Sequence, residues 1–134
     1  MGGRRKPLRH VLDVYGYPIH LATDARQWRK IREEITTLPE DPDSHGATHS
    51  VLEVTDAGPN LLHLVFYVDV AGHDPETPGE LVQTCAHEAA HGAGFLFDHI
   101  GAPYDGRTEP YAYLVGWLTL WIWQGCERAR HDHV

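Results

Sequence analysis

Cysteine and methionine are scarce in this chain, two and one among 134 residues, and no apolar segment reaches 18 residues. The missing long segment excludes a membrane-spanning helix. The uncharged run from Tyr111 to Trp123 has only 13 residues, which suits a core helix. Cys85 and Cys126 form no disulfide framework, so free thiols in a reducing compartment, the cytoplasm, are expected. No apolar segment follows Arg4, Arg5 and Lys6, so no signal peptide is expected there. Repeats and low-complexity tracts are absent.

Basic charge is also scarce beyond the first quarter of the chain. Residues 1–32 carry eight of the 11 Lys and Arg against Asp13 and Asp24, giving +6, and the remaining residues give -14, for a net -8. A basic arm for nucleic acid is one reading. Net acidity and the lack of a recognition motif favour the other, a solvated tail and a basic helix face drawn to the acidic remainder. What is present is 42% hydrophobic residues, enough for one domain over residues 1–134 with a real core. Residues 1–7 and 128–134 read as flexible tails, with His131 and His133 solvated.

Alternation over Arg9–Tyr15 and Tyr17–Ala22, broken at Gly16, predicts a hairpin. Asp24 caps a helix to about Thr37, with Trp28, Ile31, Ile35 and Leu38 as its apolar stripe. After an acidic, mobile loop (Pro39–Gly46), two strands over Ala47–Thr55 and Leu61–Val70 predict a second hairpin. The latter strand is almost wholly apolar, hence central or covered by a helix; His63 and Asp69 are its polar exceptions and point to solvent or a cleft. Thr77 and Glu80 form a capping box with Pro78 at the first helical position, and Gly101 closes that helix. Thr108 opens a last helix to about Glu127. The class is α+β: a small antiparallel or mixed sheet from two hairpins, packed on three helices.

The second helix carries His87, Glu88 and His91, an H-E-x-x-H pattern. Histidines at i and i+4 share a face and can hold one metal ion, with Glu88 one step round, placed to hold a water. The intervening residues from Ala86 to Phe97 are Ala, Gly, Phe and Leu, which predicts burial on most sides. Catalytic zinc takes three protein ligands and leaves a fourth position open. Glu109, with 17 residues between it and His91, is the leading third ligand if the last helix doubles back. A carboxylate there also suits a helix N-terminus on dipole grounds alone. Asp105 is the next choice; Asp98 is too far along the helix for more than an outer role, and His99 ranks last.

His87-Glu88-x-x-His91 followed by Glu109 resembles the gluzincin branch of the zincin metallopeptidases. The element order is similar to that of minimal zincins, and His87–Trp117 is similar to small H-E-x-x-H proteins encoded by bacteriophages. The resemblance implies Zn²⁺ on His87, His91 and Glu109, with Glu88 as general base in peptide hydrolysis. It implies a further donor for the oxyanion, for which Tyr113 is the first candidate and Tyr104 and Arg107 the alternatives. The strand over 47–55 is the expected platform for an extended peptide. Pro110 directly after Glu109 departs from the gluzincin pattern. Two other classes remain open: a zinc-binding interaction module without turnover, and a basic-arm nucleic-acid binder with structural zinc. Trp117 and Trp121, at i and i+4, suit core packing or a dimer seam.

Overall fold

A computed structural model describes residues 5–42 and 44–132. It has α+β architecture: a four-stranded mixed sheet with three helices. The elements are β1 (Leu8–Val11), β2 (Pro18–Ala22), α1 (Ala25–Glu34), β3 (Gly46–Glu53), β4 (Leu61–Val68), α2 (Pro78–Ile100) and α3 (Glu109–His131). Strand order is β1-β2-β4-β3. β1/β2 and β3/β4 are antiparallel hairpins, welded by a parallel β2/β4 pairing. The first turn closes with Leu12 N–H donating to the Tyr17 carbonyl at 3.0 Å, and Gly16 takes φ +76° there, a conformation open to glycine at no steric cost.

The apolar run of β4 feeds two cores. Leu62, Leu64, Phe66 and Val68 face α2 and α3, whereas Val65 and Tyr67 pack with Trp28, Ile31 and Ile35 of the α1 side. Period-two alternation in a strand covered on both faces produces this division. Asp24 caps α1 by accepting from Gln27 N–H at 2.7 Å. Trp28 is fully buried, and its indole N–H donates to the Pro39 carbonyl at 2.9 Å. Among the described residues no helix is long and apolar enough to cross a membrane.

Several expectations need correction. Thr77 makes no side-chain cap bond; only its carbonyl accepts from Glu80 N–H, so the capping box is not formed. Arg128–His131 is helical rather than a tail, with basic residues where a helix C-terminus favours them. Arg5 is not free either: it pairs with Asp132, which places one residue of the basic segment against the C-terminal end of α3. Arg4 and His133 lie outside the described residues. Trp117, Trp121 and Trp123 pack partly buried against the core.

His63 points neither to solvent nor to an open cleft. It is buried against His20 of β2, with Nδ1 at 3.0 Å from His20 Nε2. His63 Nε2 is buried without a hydrogen bond, 3.8 Å from Glu53 Oε1. The favourable tautomers have His20 Nε2–H donating to His63, so that His63 turns an N–H rather than a lone pair toward the carboxylate. Burial, then the neighbouring His63 and Arg9, lower His20 to about 4; burial also lowers His63, opposed by Glu53. Between pH ~6.5 and ~4 the unfolded chain therefore binds protons that the folded chain refuses, so stability present above that window is lost on acidification. The expected loss is on the order of 2–4 kcal/mol. His20→Gln, which keeps a donor for His63, should flatten that acid limb in urea midpoints measured from pH 7 to 4; an unchanged slope would assign the acid sensitivity elsewhere.

Candidate metal centre

α2 lies close on the sheet because its inner face is small. Cys85, Ala89, Gly92 and Ala93 are buried there, and a Cβ on Gly92 would stand 2.5 Å from Phe66 Cζ. His87 and His91 lie on the opposite side and are exposed, while Glu88 is 6% exposed. Burial of the imidazoles is thus corrected: short side chains let the helix approach the sheet without anything wrapping its outer face. Only the carboxylate is enclosed.

The two imidazoles converge. His87 Nε2 and His91 Nε2 are 3.1 Å apart, with ring planes at 80°. Two nitrogens on one zinc at about 2.0–2.1 Å and a near-tetrahedral angle stand about 3.3–3.4 Å apart. The pair fits a shared ion to within a few tenths of an ångström. The same spacing also suits an imidazole–imidazole hydrogen bond.

Glu88 is positioned by β3, the outer strand of the sheet. Thr48 Oγ1 is 2.7 Å from Glu88 Oε1 and 3.1 Å from its carbonyl; one hydroxyl proton serves best at the shorter contact. A Cβ on Gly46 would meet Thr84 Cγ2 at 2.7 Å and Glu88 Oε2 at 3.0 Å, so this strand start needs glycine for the carboxylate to fit. Gly46, Thr84, His87 and Glu88 line one hollow of about 250 Å³. His73 flanks it, its ring nitrogens near the Asp69 carbonyl (2.6 Å) and Thr84 Oγ1 (2.9 Å). His49 is lowered by burial, with Glu88 opposing. Thr48, Gly46 and His73 were not legible as site residues, since only the β3/α2 packing brings them to Glu88.

A second hollow of about 290 Å³ holds His91 with Asp98, Tyr104 and Tyr111. Tyr104 is raised chiefly by its hydrogen bond to Asp98. Tyr113, the first oxyanion candidate, is 79% exposed and lines a different hollow with Val14 and Trp117. Of the two tyrosine candidates for the oxyanion, Tyr104 rather than Tyr113 shares a hollow with His91. Arg107 pairs with Asp105 at 3.6 Å.

Glu109 begins α3, and the packing register decides its reach. Phe97 meets Tyr111, and Cys85 meets Cys126, so the helices run antiparallel with Glu109 level with the end of α2. Ile100 lies nine residues beyond His91, about 14 Å along the axis. Glu109 is accordingly not brought beside the histidines. Asp105 is engaged in its own turn, accepting from Arg107 N–H at 2.7 Å, and His99 stacks edge-on against Tyr17 at 5.3 Å. Among the described residues no three His, Cys, Asp or Glu are grouped to hold a metal ion.

Comparison with models of known protein families, with curated proteins and with solved structures returned no match. These comparisons therefore give no support to a zincin or bacteriophage relationship.

Proposed function

We propose that the protein is a zincin-like, zinc-dependent hydrolase of peptide bonds, centred on α2. The observation that carries this reading is the convergence of His87 Nε2 and His91 Nε2 at 3.1 Å beside an enclosed Glu88. His87 and His91 would hold Zn²⁺, which when bound supplies an acidified water and a Lewis acid at the scissile carbonyl. Glu88, fixed by Thr48, takes a proton from the attacking water and returns it to the leaving amine. Among the described residues no strand pairs with the outer edge of β3, so an extended peptide can add there as a further strand. Tyr104 replaces Tyr113 as the proposed donor to the oxyanion. The proposed compartment is the cytoplasm, where both thiols stay reduced.

One observation favours a second reading, a zinc-binding module without turnover: no third protein ligand stands beside the histidines among the described residues. Untagged protein titrated with Zn²⁺, and screened against a peptide library, separates the two. We expect stoichiometric binding lost in His91→Ala, cleavage in the wild type, and Glu109→Ala within about threefold of wild-type affinity. A tenfold or larger loss in Glu109→Ala, the scale of losing a ligand's support, would bring Glu109 to the metal after rearrangement. Absence of zinc binding would end both readings.

A further inference from the structure

The chain has only two cysteines, and the fold puts them together. Cys85 of α2 and Cys126 of α3 are 41 residues apart in sequence, both fully buried, with their sulfurs at 4.0 Å. Both stand in the core among small neighbours, Ala89, Ala93 and Ala129. Two residues so rare meeting across one helix interface point to a function of the pair.

We propose that Cys85 and Cys126 are a disulfide site, a covalent staple between α2 and α3 that closes in an oxidising medium and opens in a reducing one. The staple would tie the helix bearing His87 and His91 to its neighbour. The inference is independent of whether those histidines bind metal. Closure needs a side-chain rotation and an approach of about 2 Å, to the S–S length of about 2.05 Å.

The chemistry is thiol–disulfide exchange with a low-molecular-weight disulfide such as oxidised glutathione. One cysteine thiolate attacks the glutathione disulfide, releasing one glutathione thiolate and leaving a mixed disulfide on the protein. The second cysteine thiolate then displaces the second glutathione. Two protein thiols lose their protons and two electrons, and the oxidant becomes two thiols. In the native state Cys126 is raised far above the ordinary thiol range by its contact with Cys85 and by burial. Exchange therefore runs through molecules in which the end of α3 has opened, or during folding. Cys126 lies five residues before the end of α3, and helix ends open more readily than helix middles.

The test is to refold the full chain from urea in a glutathione redox buffer containing EDTA, then read intact mass, free thiols and melting temperature. We expect an intrachain disulfide, with a mass lower by about 2 Da, no thiol alkylated in denaturant, and a Tm about 10 °C above that of the reduced chain. Cys126→Ala should form only a glutathione adduct or a free thiol at Cys85, with no such Tm gain. Two free thiols under oxidising buffer, glutathione adducts in place of the bridge, interchain dimers, or an oxidised Tm at or below the reduced one would each overturn the proposal. Should Cys126→Ala fail to fold, the comparison of reduced and oxidised wild type decides alone.

Discussion

Glu88→Gln is expected to lower zinc-dependent peptide hydrolysis by about 10²- to 10⁴-fold, the usual contribution of a positioned general base. Zinc affinity should stay within about twofold, because the imidazoles carry the binding and Glu88 is not among the ligands. The geometry makes the substitution unusually clean. Glu88 turns inward to Thr48 at 2.7 Å, whereas His87 and His91 stand on the exposed side of α2. Gln retains an oxygen for the Thr48 hydroxyl and nearly the same volume, so the packing against Gly46 survives. It cannot accept the proton of an attacking water. Fluorogenic peptide turnover and calorimetric zinc titration on the same preparation measure both halves; undiminished turnover would remove Glu88 from the chemistry and with it the peptidase mechanism.

Gly92→Ala is the second large expectation, with a loss of about 1–3 kcal/mol from overpacking. Alanine is the better helix former by about 1 kcal/mol, so intrinsic propensity predicts the opposite sign. Packing wins because the new methyl would stand 2.5 Å from Phe66 Cζ and 2.7 Å from Cε1. Phe66 is wholly buried in β4, so its ring retreats only by displacing other core side chains. Gly116 in α3 is the control, since a Cβ there meets nothing within 4 Å and alanine should be neutral or stabilising. Urea denaturation of the two variants decides. A stabilised Gly92→Ala chain would mean that α2 stands further off the sheet than described.

Local signals carried the limits of α2 well. Pro78 at its first turn and Gly101 at its end (φ +71°) bracket the helix as the sequence reading expects, because both residues act through their own backbone. The two hairpins and the double-sided burial of β4 were equally local, resting on alternation and on one apolar run. Pairing between distant segments was not legible. His63 meets His20 only because β2 joins β4 in parallel, with His20 opposite Val65, and nothing in either strand announces that partner. The same holds for Glu109: its distance from His91 is set by the antiparallel register of α2 on α3. Cys85 and Cys126 showed no pattern in sequence for the same reason. Arg128–His131 differs, since basic residues favour a last helical turn and that signal lies in the sequence itself.

The histidine pair has an unusual address along its helix. His87 follows Pro78 by nine residues, and His91 precedes Ile100 by nine, so each end of α2 is about 14 Å away. The partial charges of a helix macrodipole act within the first and last turns, and here the positive and negative ends oppose each other at equal range. The two ends thus contribute almost no net potential where the imidazoles meet. Whatever potential an arriving cation feels there is written by side chains alone, and it can be rewritten by changing them without disturbing the helix.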